Sequence, residues 1–157
     1  MKLKGLVEED FIQYKKPSMF LICPYCTFKC DKENGNQVCQ NWALRNSLII
    51  DYPIKKLVER YLANDITKAV VFGGLEPFDT YPEVLSFIKE FRKYSDDDIV
   101  IYTGFTESEI VDKVEELINY KNIIIKCGRY IPGEKSHRDL VLGVDLASHN
   151  QHGIKIS

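Results

Sequence analysis

Short apolar segments alternate with amphipathic segments along this chain, a pattern typical of a parallel sheet joined by helical crossovers. Four of the segments are short and almost wholly apolar, as expected for strands that are buried on both faces. The predicted strands are residues 18–22, 69–72, 99–102 and 122–126.

Amphipathic segments lie between these predicted strands. Their apolar residues recur at helical spacing, so each presents one apolar stripe to a core. Pro53 suits the first turn of one helix, and Thr106 with Glu109 forms a capping box at another. The predicted helices are residues 54–62, 81–94 and 107–119, with a short helix at 42–46.

Strand–helix alternation of this kind predicts an α/β fold with right-handed crossovers. Four or five such units are too few for a closed eight-unit barrel. We therefore expect an open partial (βα) barrel of mostly parallel strands, with residues 1–157 forming a single domain. Residues 3–14 are predicted to form an irregular strand or arm, and residues 153–156 a last edge strand.

Composition excludes several classes of function. Apolar residues make up 45% of the chain and charged residues 28%, with a formal net charge of −2. That balance gives no basic surface for nucleic acid. No apolar run approaches the ~20 residues of a membrane helix, and no secretory signal is visible. We expect a cytoplasmic protein without a membrane partner.

Four of the five cysteines lie between Cys23 and Cys39, on the loop that leaves the first predicted strand. In a reducing cytoplasm such a cluster favours metal binding or redox chemistry over disulfides. One possible ligand set is Cys23, Cys26 and Cys30; the other is Cys26, Cys30 and Cys39. The second is favoured, because Cys23 ends a strand and the Asn34-Gly35 turn can return Cys39 to the other two.

The cysteines alone support two kinds of centre about equally. A [4Fe–4S] cluster on three thiolates would leave one iron open to a ligand. A structural zinc is the alternative, although the spacing lacks two Cys-x2-Cys knuckles.

Glycine-rich or polar segments follow the other three predicted strands, at the sheet edge where the cysteines are expected, and a further polar segment lies near the end of the chain. Glycines allow close approach, backbone N–H groups there can hold a carboxylate, and Glu76 can pair with an ammonium group. An ordinary turn is the alternative for each segment, and Cys127 is either a buried thiol or a redox group. The segments are residues 73–77, 102–105, 126–130 and 147–152.

Together these segments resemble the motifs of the radical S-adenosylmethionine (SAM) superfamily, and specifically the activating protein of anaerobic (class III) ribonucleotide reductase, a glycyl-radical enzyme activase. Cys26 and Cys30 resemble the first cysteine pair of that family, and Cys39-Gln40-Asn41 its third cysteine and following Asn. The later segments resemble the Gly-Gly-Glu/Asp-Pro, Trp-Thr-Gly-Tyr, Asp-Gly-Lys-Phe and Ser-Ser-Asn-Gln motifs, and they are residues 73–77, 102–105, 127–130 and 148–151.

The chain departs from that family at three places. Cys39 is displaced by six extra residues, and Leu75 is inserted in the glycine motif. Residues 13–17 stand where the family's activases have an N-terminal Asp-Gly-Pro-Gly turn.

The resemblance implies a radical SAM oxidoreductase. Cys26, Cys30 and Cys39 would hold a [4Fe–4S] cluster whose open iron is chelated by the methionyl amine and carboxylate of SAM. Reductive cleavage would give a 5′-deoxyadenosyl radical, which generates a glycyl radical on an anaerobic ribonucleotide reductase, with flavodoxin or ferredoxin as electron donor.

The resemblance also implies cofactor contacts. Phe28 or Val38 would pack on the adenine. Gly73, Gly74 and Glu76 would bind the methionyl amine. Weaker contacts are implied for Thr103 and Asn150. Two alternatives stay open: a radical SAM enzyme with another peptide or small-molecule substrate, and a non-catalytic Fe–S or zinc-binding module.

Overall fold

A mixed six-stranded sheet forms the centre of the computed structural model, which describes residues Met1–Ser157. The strands are β1 (Lys2–Leu3), β2 (Gly5–Asp10), β3 (Ser18–Cys23), β4 (Ile50–Asp51), β5 (Ala69–Gly74), β6 (Asp98–Tyr102), β7 (Ile123–Cys127), β8 (His137–Asp139), β9 (Val144–Leu146) and β10 (His152–Lys155). The helices are α1 (Lys29–Asn34), α2 (Ile54–Leu62), α3 (Tyr81–Phe91) and α4 (Val111–Leu117). Three short 3-10 helices cover Trp42–Asn46, Pro77–Thr80 and Glu107–Glu109.

The expected open partial (βα) barrel of mostly parallel strands is wrong. The sheet has the order β10-β7-β6-β5-β3-β2, and only its four middle strands are parallel. Both outer strands, β2 and β10, run antiparallel to their neighbours, and two further antiparallel pairs, β1-β4 and β8-β9, lie outside this sheet. The connections that lead from β2 and to β10 contain no helix, so neither outer strand continues the parallel crossover pattern.

The four predicted central strands and the three long helical segments are confirmed, with changed ends. The third helical segment is divided, because the 3-10 helix Glu107–Glu109 precedes α4. The predicted cap is present there, since the Glu109 carboxylate accepts the backbone N–H of Thr106 at 2.9 Å. Helix α1, inside the cysteine loop, was not predicted.

The two faces of the sheet are covered by different kinds of structure. On one face Val70 and Phe72 of β5 belong to a 22-residue core to which α2 and α3 also contribute. On the other face Ala69 and Val71 contact a smaller core that includes Tyr14 and parts of the C-terminal segment. Helices therefore lie against one face only, which is a second difference from a barrel. No helix has the length and apolar character that a membrane crossing requires.

Candidate functional site

A cavity of about 380 Å³ lies where the four parallel strands end. Each of the loops that follow β3, β5, β6 and β7 contributes to its wall, for example through Cys26, Glu76, Gly104 and Gly128. Open α/β sheets bind ligands in this position, because successive strands direct their following loops to the same edge.

The cysteine loop turns into the cavity at Phe28. This residue has a φ of 52°, one of two non-glycine residues with positive φ, and it precedes the first residue of α1. A bulky residue adopts this conformation only where its surroundings hold it there. The Sγ of Cys26 accepts the Phe28 backbone N–H at 3.2 Å, and Asp79 accepts the N–H of Thr27 at 2.9 Å.

The spacer between Cys30 and Cys39 is folded back by Asp31. Its Oδ1 atom accepts the backbone N–H groups of Val38 at 2.8 Å and Cys39 at 2.7 Å. Gly35, with a φ of 67°, ends α1 and reverses the chain at the predicted turn. Cys30 and Cys39 both line the cavity together with Cys26.

Cys23 lies elsewhere. Its side chain is fully buried in the core, and burial raises the pKa of its thiol well above the ordinary range. Cys127 ends β7 and is also buried, which raises its pKa to about 12. Neither thiol lines the cavity.

Thiols are the donors that an iron–sulfur cluster takes, and three of them line the cavity. No three His, Cys, Asp or Glu side chains come close enough together to hold a single metal ion. In a [4Fe–4S] cluster each thiolate binds a different iron, so the ligands need not converge on one point. Burial raises the pKa of Cys26 to about 12 and of Cys39 to about 11, so cluster binding would displace their protons.

Glu76 is a buried carboxylate in the cavity wall, 7% exposed. Its Oε1 accepts the Thr103 hydroxyl at 2.7 Å and the Phe78 N–H at 3.1 Å, and its Oε2 accepts the Gly104 N–H at 2.9 Å. A carboxylate can accept about four hydrogen bonds, so roughly one site remains, on Oε2. Burial outweighs these hydrogen bonds and raises the pKa of Glu76 to about 7.

Thr103 has its hydroxyl proton committed to Glu76. The same hydroxyl oxygen accepts the Phe105 backbone N–H at 3.0 Å. Thr103 lines the cavity, and its observed role is to orient the Glu76 carboxylate.

Gly73 and Gly74 both line the cavity. Gly74 has a φ of 77°, and a Cβ atom there would meet Ile22 at 2.6 Å and Leu44 at 3.2 Å. The glycine is therefore required by the backbone and by the close packing of β3 and of the 3-10 helix Trp42–Asn46 against the end of β5.

Three residues that were expected to contact the cofactor lie outside the cavity lining: Phe28, Val38 and Asn150. The Phe28 ring instead faces the Arg45 guanidinium, 5.4 Å from the ring centroid. Asn150 donates from Nδ2 to the Arg129 carbonyl at 2.9 Å, while its buried Oδ1 has no hydrogen-bond partner.

Two polar residues of the wall, Lys126 and Gln151, lie in segments that the sequence analysis singled out, but neither was predicted to contact the cofactor. Lys126 is 7% exposed, donates to the Gly128 carbonyl at 2.8 Å, and has its pKa lowered to about 8 by burial. Gln151 donates to the same carbonyl at 3.2 Å. Lys126 is the only charged residue in β7, and that signal could have identified it.

A group of charged residues connects the cysteine loop to the end of β7. Glu109 accepts Arg129 through both carboxylate oxygens at 2.9 and 2.6 Å, and it also pairs with Lys29 at 3.2 Å. The Lys29 ammonium lies 4.5 Å and the Arg129 guanidinium 5.8 Å from the centroid of the Phe105 ring. Lys29, Phe105 and Arg129 all line the cavity, so this group closes one part of its wall.

Comparison with known proteins gives one match. A family model described as a 4Fe-4S single cluster domain matches residues 18–152, which include every strand end around the cavity. No curated protein and no solved structure matches the chain.

Proposed function

The chain belongs to the family of 4Fe-4S single cluster domains, and from that premise we propose that it is a radical SAM enzyme. The observation that carries the proposal is the shared cavity, whose wall contains three cysteines together with the motif residues that follow β5, β6 and β7. A purely structural cluster would not need polar groups from three further strand ends beside its thiols.

Cys26, Cys30 and Cys39 would hold the cluster as thiolates and leave one iron without a protein ligand. A bound cluster in its reduced state would supply one electron for the cleavage of SAM into methionine and a 5′-deoxyadenosyl radical. The residues around it bind and orient the cofactor and keep water away.

The cavity offers one negatively charged and one positively charged side chain to the methionyl end of SAM. The remaining acceptor site on Glu76 can take the amine, alongside the backbone at Gly73 and Gly74. The Lys126 ammonium uses one of its three donors within the chain and can pair with the carboxylate. Thr103 acts through Glu76 in this proposal.

The remaining predicted contacts are Asn150, a weaker cofactor contact, and Phe28 and Val38, which were predicted for the adenine. The buried Oδ1 of Asn150 has no partner and lies outside the cavity lining, so Asn150 reaches a cofactor only if the C-terminal segment changes conformation. Phe28 and Val38 reach an adenine only if the cysteine loop changes conformation when the cluster binds.

The proposed substrate is a glycyl-radical protein, specifically an anaerobic ribonucleotide reductase. The support is the order of the strand-end motifs, which resembles that of the activating proteins. The 5′-deoxyadenosyl radical would remove a hydrogen atom from a glycine of the partner, giving 5′-deoxyadenosine and a glycyl radical.

The test is anaerobic reconstitution with iron and sulfide, followed by electron paramagnetic resonance of the reduced protein with and without SAM. We expect a [4Fe–4S] signal that changes when SAM is added, together with formation of 5′-deoxyadenosine. Addition of a reductase subunit should then give a glycyl radical signal. A cluster that cleaves SAM but gives no such radical would refute the activase proposal alone.

One observation favours a second candidate, a non-catalytic cluster-binding module. Most acceptor sites of Glu76 already receive protein donors, so a ligand amine has little left to bind. This candidate predicts that the cluster signal is unchanged by SAM and that no 5′-deoxyadenosine forms.

A further inference from the structure

Cys26 is accessible from two separate depressions in the surface. It lines the cavity described above, and it also lines a groove of about 610 Å³ beside the cysteine loop. Pro24, Tyr25, Phe28 and Ile49 also line this groove. A protein bound in the groove would approach a cluster ligand without entering the cavity.

The charge of the groove is predominantly positive. Lys4, Lys32 and Arg45 line it, with Asp31 as the single acid. Asp31 has one carboxylate oxygen committed to two backbone N–H groups, whereas Lys32 and Arg45 are exposed. Lys4 donates to three carbonyl oxygens between residues 44 and 47, which fixes its charge at the groove wall.

Apolar side chains are exposed in and beside the groove. Tyr25 is 44% exposed and Ile49 42% exposed, and the neighbours of Ile49 in the chain, Leu48 and Ile50, are 84% and 48% exposed. Three consecutive exposed aliphatic residues are unusual on a protein surface unless they are functional. An apolar centre with a charged rim is typical of a protein interface.

We propose that this groove, defined by Lys4, Tyr25, Lys32, Arg45 and Ile49, docks an acidic protein that carries single electrons. The inference rests on the proposed function, because it requires a cluster held by Cys26. The docked carrier loses one electron, and the cluster gains it. No bond forms or breaks and no proton is transferred in this step. The cavity stays free for SAM during reduction.

The physical argument is one of position and charge. Electron transfer weakens steeply with distance, so the carrier must sit beside a cluster ligand, and of the three proposed ligands only Cys26 lines the groove. Positive charges on the groove attract an acidic carrier and raise the association rate. Electron-transfer encounters bury small areas, so a groove of this size with a short apolar strip is sufficient.

The test compares two reductants of the reconstituted protein by anaerobic stopped-flow absorbance. One is an acidic flavodoxin in its hydroquinone form, and the other is dithionite, which needs no docking site. The variant is Lys32→Glu/Arg45→Glu. The control is Lys68→Glu/Lys155→Glu, which changes net charge equally near the amino ends of the parallel strands.

We expect the groove variant to be reduced by flavodoxin about 10-fold more slowly at low salt, with a smaller effect at high salt. Reduction by dithionite and iron content should match the wild type, and the control should behave as wild type with both reductants. Arg45→Glu could disturb the loop, since Arg45 stacks on Phe28 and Trp42; Lys32→Glu alone then gives the decisive comparison.

An unchanged flavodoxin rate in a variant that dithionite reduces normally would overturn the docking site while leaving the proposed function intact. An equal decrease in the flavodoxin reduction rate of the groove variant and the control variant would also overturn the docking site. A wild-type protein that assembles no reducible cluster would overturn both proposals.

Discussion

The Asp31 carboxylate accepts a 2.7 Å hydrogen bond from the backbone N–H of Cys39. The same oxygen accepts the N–H of Val38, so one side chain closes the spacer of eight residues and returns Cys39 to Cys30. A hydrogen bond to an ionised acceptor is stronger than one between neutral groups.

Replacing Asp31 should therefore weaken cluster binding without removing a thiol. We expect Asp31→Ala to lower the affinity for the cluster by about 10-fold to 100-fold, the usual effect of losing a group that orients a ligand. Iron and sulfide per chain measure the effect, and amide hydrogen exchange at Val38 and Cys39 in the metal-free protein should become faster. Lys32→Ala, on the same helix, is the control; equal loss there would contradict the role of Asp31.

Alanine substitutions distinguish the two possible ligand sets. Cys26→Ala, Cys30→Ala and Cys39→Ala should each abolish the [4Fe–4S] signal after reconstitution. Cys23→Ala should keep the signal and reduce the free energy of unfolding by roughly 1 kcal/mol, because it removes a small group from the core. Loss of the cluster in Cys23→Ala, but not in Cys39→Ala, would reverse the assignment.

Glu76 should make stability depend on pH. Burial raises its pKa from 4.5 to about 7, so between these values the folded protein binds a proton that the unfolded chain has released. The free energy of unfolding should therefore fall as pH rises through this range, by about 3 kcal/mol in total. Urea denaturation of the metal-free protein at several values between pH 5 and pH 7 measures the slope.

The matched variants for this experiment are Glu76→Gln and the exposed Glu115→Gln. Glu76→Gln cannot ionise, so the free energy of unfolding should depend less steeply on pH. The amide of this variant also loses the hydrogen bond from Gly104, which lowers stability but does not depend on pH. The second should retain the wild-type slope. Lys126, with a pKa near 8, acts in the opposite direction and mainly above this range. Identical slopes in all three proteins would exclude a raised pKa at Glu76.

Glu109 should hold the cysteine loop against the end of β7. Arg129 and Lys29 hold the pKa of this carboxyl well below its usual range. Glu109→Gln removes the negative charge that pairs with both Arg129 and Lys29. We expect faster amide hydrogen exchange across residues 29–39. The free energy of unfolding should fall by at most about 1 kcal/mol, because the site is partly exposed. Asp112→Asn is the control, because Asp112 pairs only with the adjacent Lys113. High salt should reduce the difference between wild type and Glu109→Gln.

The central strands could be predicted because burial on both faces requires uninterrupted apolar runs, and Val70, Phe72, Ile99 and Ile101 satisfy that requirement locally. The prediction of a partial barrel was wrong because these apolar segments do not specify the direction of the strands at the edges of the sheet. Whether β2 and β10 pair in parallel or antiparallel depends on the course of the connecting chain, which sequence periodicity does not specify.

The sequence by itself determined the chemistry available at the site: the thiols of Cys26, Cys30 and Cys39, the glycines after β5, and a carboxylate at Glu76. Residue type and position after a strand are local properties, and they bring these groups to one sheet edge. Only the tertiary structure decided which groups meet. Asp31 captures Cys39, Lys126 faces the cavity, and Phe28 turns toward Arg45, because hydrogen bonds and packing between distant segments select these contacts after the chain has folded.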